Sequence, residues 1–457
     1  MTPIEFIEIL NRPLADLPHE LEMVPLPGPF NVEVRPPGSK SLTNRALLLA
    51  ALAEGDSVIT DALIDADDAH VMIEALRTLG AAIEITGTTL RIRGAAGRLR
   101  GGGTLNLKNA GTATRFLTAA ACLADAPVII DGNERMRQRP IGELVAMLRR
   151  LGVTIDELGA PGCVPLRVHP FRGPAHDLEV GATQSSQFIS ALCMIGPCLK
   201  GRWTLTFNGR PTSPSYITMT LAMMDDWLKG GMDGSDEEGA VHFSPSSYRG
   251  REWAIEPDAS GATYFWGAGA INPGSKGRVP AITEKSLQGD ARFAALLRSI
   301  AEAKTSAHDL TSMPDAAMTL AVVACFTDGA TTITGLRTLR VKETDRLAAL
   351  QAELSKLNVR VEILQIPDRS GKAPPDEGLR ITPPPRGIDC SPSAPRVAFD
   401  TYDDHRMAMS LALVGLRRPN IVIRDPRCVA KTYPTFWNHL SLLYRSAGSN
   451  GALTRST

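Results

Sequence analysis

Residues 39–45 read Ser-Lys-Ser-Leu-Thr-Asn-Arg and are followed directly by residues 46–53, Ala-Leu-Leu-Leu-Ala-Ala-Leu-Ala. A helix that is apolar nearly all round is buried, not surface-lying. The stretch therefore predicts a core helix whose first turn is polar and cationic. Because a helix N-terminus already carries partial positive charge, a cation there is unfavourable by roughly 0.3–1 kcal/mol. A bound anion would offset that cost.

The same pattern of a buried helix recurs along the chain. Further all-apolar helices are predicted at residues 112–124, 188–195, 316–326 and 407–416. Amphipathic helices with 3.6-residue apolar spacing are predicted at residues 67–80, 141–152 and 344–358. Short β-branched runs predict strands at residues 55–61, 82–85, 126–132, 202–209, 329–335, 359–363 and 419–425. Strands and amphipathic helices around buried helices indicate an α/β fold turned inside out, with repeats of roughly 40–70 residues.

Length and composition narrow the class of protein. A chain of 457 residues is expected to form two domains. Equal numbers of basic and acidic residues, 49 of each, argue against binding nucleic acid through bulk charge. The seven cysteines lack metal-ligand or disulfide spacing, so a reducing compartment and no metal are expected.

No apolar run reaches the roughly 18 residues that span a membrane, and residues 1–20 do not resemble a signal peptide. We therefore expect a cytoplasmic protein, without a membrane partner and monomeric. Residues 26–38, 256–261 and 271–280 are rich in Pro and Gly, residues 367–395 are expected to form a long surface loop, and residues 446–457 are expected to be disordered.

Short cationic segments are scattered through the chain, nearly all where a loop turns into a predicted helix. They lie at residues 39–45, 109–115, 135–140, 342–346, 403–406 and 430–432. The repetition predicts an enzyme whose small substrates carry several negative charges.

In the first segment, Lys40 and Asn44, like Ser41 and Arg45, are four residues apart and share a helix side. A nucleotide phosphate loop is excluded, because Ser39 separates Gly from Lys and position 33 is not Gly. A solvated basic helix start is the structural alternative.

Uncharged hydrogen-bonding groups open two further buried helices. Gly111 lacks a Cβ where a ligand could press on the backbone, and Thr112 can cap the helix. Ser185, Ser186 and Gln187 suit sugar-like hydroxyls or phosphate, although serines also serve as ordinary helix caps.

Carboxylates near cations are candidates for proton transfer. Glu343 is flanked by cations, which favour its ionised form while burial opposes it. Asp315 precedes a buried helix and is either a plain N-cap or a general base. His405 and Arg406 open the last buried helix after two aspartates.

Taken together, the segments resemble the 5-enolpyruvylshikimate-3-phosphate (EPSP) synthase family of enolpyruvyl transferases. The match runs from about residue 31 to 440 in the family's order. Each motif alone is weak to moderate, whereas eight motifs in this order are very specific. The motifs are at residues 37–45, 109–115, 139–142, 185–188, 256–260, 314–318, 340–346 and 404–408.

The resemblance implies a two-domain inside-out α/β barrel with three βαβαββ units and buried parallel helices in each domain. The first domain would comprise residues 1–38 and 257–457, the second residues 39–256, with the active site in the cleft between them. The implied reaction transfers the enolpyruvyl group of phosphoenolpyruvate to the 5-hydroxyl of shikimate 3-phosphate and releases phosphate. It needs neither metal nor cofactor.

The resemblance also assigns roles to residues. Catalysis would rest on Asp315, Glu343 and Lys40. Shikimate 3-phosphate would be held by Lys40, Ser41, Arg45, Ser185, Ser186, Gln187, Ser213, Asp315 and Lys342. Phosphoenolpyruvate would be held by Lys40, Gly111, Arg139, Gln187, Arg346, Arg406 and Lys431. Support would come from Asn109, Arg115, Glu343 and His405.

Some positions depart from the family pattern. Phe116 stands where relatives commonly have Pro, Thr338 where some have Asn or Ser, and the proline after Ser213 is shifted. Gly111 implies inhibition by glyphosate. A UDP-N-acetylglucosamine enolpyruvyl transferase and a non-catalytic anion-binding protein remain alternatives, although residues 133–140 lack the loop cysteine usual in the former.

Overall fold

The computed structural model of the protein describes residues 1–209, 211–232, 239–301, 305–367, 374–449 and 453–455. The α-helices of this part of the chain are α1 (Pro3–Leu10), α2 (Lys40–Leu52), α3 (Asp67–Thr78), α4 (Gly111–Ala120), α5 (Gly142–Leu151), α6 (Ser186–Ile195), α7 (Pro214–Trp227), α8 (Ala259–Ile271), α9 (Phe293–Ala301), α10 (Ala317–Ala324), α11 (Arg346–Ser355), α12 (His405–Gly415) and α13 (Phe436–Gly448). No helix among these is long and apolar enough to cross a membrane.

The strands begin with β1 (Glu20–Glu22), β2 (Asn31–Glu33), β3 (Asp56–Thr60), β4 (Ala82–Thr86), β5 (Thr89–Arg93), β6 (Thr104–Asn106) and β7 (Val128–Asp131). They continue with β8 (Ile155–Glu157), β9 (Leu166–Val168), β10 (Leu178–Val180), β11 (Trp203–Phe207), β12 (Ala240–Phe243), β13 (Glu252–Ala254) and β14 (Lys276–Arg278). The last are β15 (Ser306–Asp309), β16 (Thr331–Thr334), β17 (Arg360–Ile366), β18 (Asp376–Thr382), β19 (Val397–Phe399), β20 (Ile421–Arg424) and β21 (Leu453–Arg455).

Contacts between Cα atoms divide the chain into two units. The continuous unit consists mainly of Gly38–Glu256. The discontinuous unit is assembled from Met1–Pro37, Pro257–Pro367 and Pro375–Thr457.

In the continuous unit, the strands form the sheets β13-β3-β5-β4, β6-β7-β9-β8 and β10-β11-β12. Each sheet joins one parallel pair to antiparallel neighbours. Alternating burial along β3 and β7 reflects the period of two expected of strands with one covered face. Helices α2, α4 and α6 are buried along nearly their whole length, which confirms the prediction of apolar core helices.

The discontinuous unit also has three sheets, β15-β16-β18-β17, β1-β20-β19 and β14-β2-β21. The first two combine parallel and antiparallel pairs, whereas both pairs of β14-β2-β21 are parallel. Its buried helices are α8, α10 and α12, and they pack against one another. The predicted helices α10, α11 and α12 and the predicted strands β16, β17 and β20 are all present.

Helix α8 was not predicted; in the sequence, only Pro- and Gly-rich stretches were described at its two ends, residues 256–261 and 271–280. Its glycines allow close helix packing. A Cβ on Gly267 would lie 2.6 Å from Cγ2 of Thr319 on α10. One turn earlier, the Thr263 and Thr319 hydroxyls are hydrogen-bonded at 3.0 Å. Glycine is therefore needed here for the approach of two helices, not for a turn.

Two further expectations were wrong. The described part of residues 367–395 is not simply a surface loop, because β18 lies in it and pairs with both β16 and β17. In the tail expected to be disordered, residues 446–448 complete α13 and residues 453–455 form β21, which pairs in parallel with β2. Residues 368–373, 450–452, 456 and 457 lie outside the described residues. Both segments gain their order from partners distant in sequence, which local composition does not reveal.

Candidate active site

The buried helices of the continuous unit begin at the residues that the sequence singled out. Helix α2 begins at Lys40, α4 at Gly111 and α6 at Ser186. In the discontinuous unit, α11 begins at Arg346 and α12 at His405. The expectation of cationic segments at helix starts is thus confirmed for residues 39–45, 109–115, 342–346 and 403–406, whereas Arg139 follows a short 3₁₀-helix and Lys431 ends another.

Lys40 forms an ion pair with a residue that the sequence analysis missed. Its Nζ lies 3.2 Å from Oδ2 of Asp68, in the first turn of α3, and both side chains are largely buried. The Asn44 amide donates to the Lys40 carbonyl oxygen at 3.1 Å, which fixes the first turn of α2. The ammonium group is thereby held at the start of the helix.

Arg45 is directed into the core, where burial lowers the pKa of its guanidinium to about 10. The guanidinium donates to Thr220 Oγ1 at 2.7 Å and to Ser190 Oγ at 3.1 Å. It also donates to backbone oxygens of Ser41 and Tyr216 at 2.9 and 3.2 Å. Most of its hydrogen bonds therefore join α2 to α6 and α7. Its predicted contact with substrate remains a prediction.

Two arginines flank the first residue of α4. Arg139 Nη1 donates to the backbone oxygen and to Oδ1 of Asn109, both at 3.2 Å. Arg115 Nη1 donates to the Gly111 oxygen at 3.1 Å, and its Nη2 donates to the Pro140 oxygen at 3.1 Å. Both guanidinium groups are buried. This gives the N-terminus of α4 two cations in addition to its helix dipole.

The polar residues at the start of α6 connect it to α4. Gln187 Nε2 donates to Thr112 Oγ1 at 3.1 Å, so Thr112 joins the two helices and does not cap its own. Ser185 is the N-cap of α6, and its hydroxyl accepts from the Gln187 amide. The capping interpretation therefore holds for Ser185. Ser213 precedes α7 with a left-handed backbone, φ 48°, which is uncommon for a non-glycine residue.

In the discontinuous unit, Arg346 is the centre of a buried ion network. Its side chain is only 1% exposed. It contacts Asp404 through two N–H groups, at 2.7 and 3.2 Å. It also donates to Asp315 Oδ1 at 3.0 Å and to Glu343 Oε2 at 2.9 Å. The surrounding carboxylates raise the pKa of Arg346 even though its burial alone would lower it.

Three more cations meet the same carboxylates. Arg406 Nη2 lies 3.0 Å from Asp315 Oδ2, and Lys342 Nζ lies 3.8 Å from Asp315 Oδ1. Lys431 Nζ lies 3.4 Å from Glu343 Oε1. Burial lowers the pKa of Lys342, while Asp315 acts in the opposite direction. Asp315 is consequently an ion-pair partner, and the N-cap of α10 is Ala316.

Asp404 lies within one of the motifs shared with the family, and the sequence alone indicated no role for it. Its Oδ1 accepts from the Arg406 amide at 2.9 Å and caps α12, while the carboxylate also binds Arg346. His405, beside it, is fully buried. Asp404 thus joins the first turn of α12 to the ion network around Arg346.

Asp290 was also missed. It lies in a 3₁₀-helix before α9, is 4% exposed and accepts a short hydrogen bond from the Ser260 hydroxyl. Burial raises the pKa of Asp290 to about 7. Nothing in its local sequence marks it as special, because its surroundings come from α8, α10 and α12.

The predicted residues thus form two groups, each within its own unit. Among the described residues, no group of three or more His, Cys, Asp and Glu side chains is placed to hold a metal ion. The continuous unit holds Lys40, Ser41, Arg45, Asn109, Gly111, Arg115, Arg139, Ser185, Ser186, Gln187 and Ser213. The discontinuous unit holds Asp315, Lys342, Glu343, Arg346, His405, Arg406 and Lys431.

Comparison with known proteins identifies the family. Residues 25–440 match the model of the EPSP synthase family, also described as 3-phosphoshikimate 1-carboxyvinyltransferase. A 3-phosphoshikimate 1-carboxyvinyltransferase of Thiobacillus denitrificans is 40% identical over 93% of this chain and 100% of that protein. The enzyme of the same name from Vibrio cholerae is 36% identical over 90% of this chain and 97% of its own length.

Solved structures share the fold. An EPSP synthase of Acinetobacter baumannii aligns with a TM-score of 0.71 at 21% identity, covering 93% of this chain and 98% of that one. The enolpyruvyl transferase NikO of Streptomyces tendae aligns with a TM-score of 0.64 at 18% identity, covering 93% and 97%. The protein therefore has the α/β fold of these solved structures. The chain belongs to the EPSP synthase family.

Proposed function

We propose that the protein transfers the enolpyruvyl group of phosphoenolpyruvate to the 5-hydroxyl of shikimate 3-phosphate and releases phosphate. The observation that carries this proposal, beside the family, is the buried network in which Asp315 and Glu343 each contact more than one cation. A reaction between two anions needs such cations, and transfer of protons needs such carboxylates.

We further propose the finer architecture of the family for this chain. Each domain would be an inside-out barrel of three βαβαββ units, with domain boundaries at residues 1–38 and 257–457 for one and 39–256 for the other. The repeated sheets and buried helices of each unit support this proposal. The active site would lie in the cleft between the domains of a cytoplasmic monomer, and domain closure would exclude water.

The charges of the substrates agree with the residues assigned to them. Phosphoenolpyruvate and shikimate 3-phosphate each carry a carboxylate and a phosphate of about −1.5 to −2 charge. Phosphoenolpyruvate would contact Lys40, Gly111, Arg139, Gln187, Arg346, Arg406 and Lys431. Shikimate 3-phosphate would contact Lys40, Ser41, Arg45, Ser185, Ser186, Gln187, Ser213, Asp315 and Lys342.

The proposed reaction takes place in two steps, an addition followed by an elimination. In the first, the 5-hydroxyl oxygen bonds to C2 of phosphoenolpyruvate, Asp315 accepts the hydroxyl proton, and Glu343 with Lys40 supplies a proton to the methylene carbon C3. This gives a tetrahedral adduct. In the second, the bond from C2 to the phosphate oxygen breaks, Asp315 gives its proton to the leaving phosphate, and Glu343 takes a proton from C3, which restores the double bond. Arg346 would orient both carboxylates, because it contacts each of them.

Phosphate release on mixing both substrates, without metal or nucleotide, tests the proposal. We expect release to require both substrates and to fall at least about a hundredfold in Lys40→Ala, since the residue binds substrate and supports proton transfer. Lys229→Ala is the matched control, because Lys229 is an exposed lysine of the same unit. Release with UDP-N-acetylglucosamine in place of shikimate 3-phosphate would contradict the acceptor assigned here.

A further inference from the structure

The segment Gln288 to Asp290 holds the N-terminus of α8 through its side chains. Gln288 Oε1 accepts from the Ala259 amide at 2.9 Å, and its Nε2 donates to the Pro257 oxygen at 2.8 Å. Asp290 Oδ2 accepts from the Ser260 hydroxyl. Gln288, Asp290 and Ser260 are all at least nine-tenths buried. These hydrogen bonds between the segment before α9 and the start of α8 take no part in the reaction steps proposed above.

Asp290 is an unusual carboxylate in this setting. Its Oδ1 is buried and has no hydrogen-bond partner among the described residues, in contrast to Asp315, which meets three cations. A buried carboxyl group without a directly contacting cation is favoured in its neutral form. The direction of its pKa agrees, because burial, together with the negative charge of Asp315, raises the pKa of Asp290 to about 7.

Charged groups from three elements act on Asp290. Asp258, the N-cap of α8, and Asp315, before α10, both disfavour a negative charge there, whereas Arg406 of α12 favours one. Arg406 is the residue that contacts Asp315 Oδ2 at 3.0 Å. An ionised Asp290 would therefore compete with Asp315 for Arg406.

We propose that Asp290 is a positioning residue: its buried carboxyl group, which accepts a hydrogen bond from Ser260, holds a proton beside the Asp315–Arg406 ion pair and so keeps Arg406 directed towards Asp315 and the substrate anion. This inference rests on the proposed function for its kinetic consequence, but the protonated pair itself exists without substrate. When Asp290 loses this proton at higher pH, phosphoenolpyruvate binds more weakly.

The kinetic test compares the KM for phosphoenolpyruvate at pH 6 and pH 8 in wild type and Asp290→Asn, with phosphate release as the readout. The asparagine keeps an acceptor for Ser260 but cannot ionise. We expect equal KM values at pH 6 and a several-fold lower KM for the variant at pH 8. Asp389→Asn, an exposed carboxylate of the same unit, should follow wild type at both pH values. A KM ratio between Asp290→Asn and wild type that does not change with pH would overturn the proposal.

Ser260→Ala provides a second variant, which acts in the same direction by raising the pKa of Asp290 instead of removing the carboxyl group. Removing the hydroxyl donor removes a hydrogen bond that favours the carboxylate, so the pKa of Asp290 should rise further. The increase of KM should then move to higher pH than in wild type. If the KM of Ser260→Ala rises at the same pH as that of wild type, the proposed role of Asp290 is contradicted. Ser260→Ala also provides the kinetic test if Asp290→Asn does not fold.

Thermal unfolding tests the pair without any substrate. Since the folded state holds a proton that the unfolded chain releases above about pH 4, wild type loses stability as pH rises from there to about 7, where the folded carboxyl ionises. The Tm of Asp290→Asn relative to wild type should therefore be higher at pH 8 than at pH 5. A Tm difference independent of pH would overturn the inference even if no phosphate were released, whereas absent release alone would refute only the proposed function.

Discussion

A missing Cβ at Gly111 determines how closely two arginines approach the first turn of α4. A Cβ added there would lie 2.7 Å from Arg139 Nη2 and 3.0 Å from Arg115 Nη1. Both atoms are the ends of flexible side chains, so a substitution would displace cations without disrupting the core. The backbone of Gly111 is helical, so glycine is needed here for the room that it leaves to the two guanidinium groups and not for its conformational freedom.

Gly111→Ala is therefore expected to leave the fold intact and to raise the KM for phosphoenolpyruvate roughly tenfold, because a small displacement of a binding cation is costly. Steady-state kinetics with phosphoenolpyruvate varied would measure this. Gly181→Ala is the control, since a Cβ at Gly181 meets nothing within 4 Å. An unchanged KM in Gly111→Ala would contradict the assignment of Arg139 to this substrate.

We also expect glyphosate to inhibit the wild type.

At the level of residues, the sequence predicted which cations and carboxylates cluster near helix starts, but not which of them pair. Lys40, Glu343 and Arg346 could be singled out because their neighbours in sequence form recognisable motifs. Asp68 and Asp290 could not, since their partners lie on other elements and burial alone makes them distinctive. Pairing is a tertiary property, which a local pattern does not encode.

At the level of elements, apolar helices were easy to predict where no glycine interrupts the middle of the apolar run. Helices α2, α4, α6, α10 and α12 follow from continuous apolar runs. Helix α8 escaped prediction because its glycines lower intrinsic helix propensity by about 1 kcal/mol each. The gain that offsets this cost comes from packing against α10, which is visible only in three dimensions.

Gly267→Val tests that account of α8. The added side chain would collide with Thr319, whose Cγ2 already lies 2.6 Å from the position of a Cβ. We expect a loss of about 1–3 kcal/mol in stability, as for other overpacked cores, measured as a fall in the urea midpoint. Gly448→Ala, at the end of α13 where a Cβ meets nothing within 4 Å, should change little. Equal effects of the two substitutions would show that close packing is not the reason for the glycine.

At the level of the whole molecule, sequence patterns indicated the α/β class and the repeated arrangement of strands around buried helices. They did not indicate that β18 and β21 complete sheets within segments that resemble loop and tail. Both strands depend on partners far along the chain, and such non-local pairing leaves a weak local signal. The cations and carboxylates were more predictable than these strands, because chemistry limits which residue types can serve an anionic substrate.

The most direct test of the proposed transfer is to follow phosphoenolpyruvate labelled with ¹³C at C2 by NMR, with shikimate 3-phosphate and the purified protein. If the proposed transfer takes place, the labelled carbon becomes the vinyl ether carbon of a product joined to the 5-oxygen of shikimate 3-phosphate, and free phosphate forms in equal amount. Formation of labelled pyruvate without a vinyl ether, or no change in the label while both substrates bind, would contradict it.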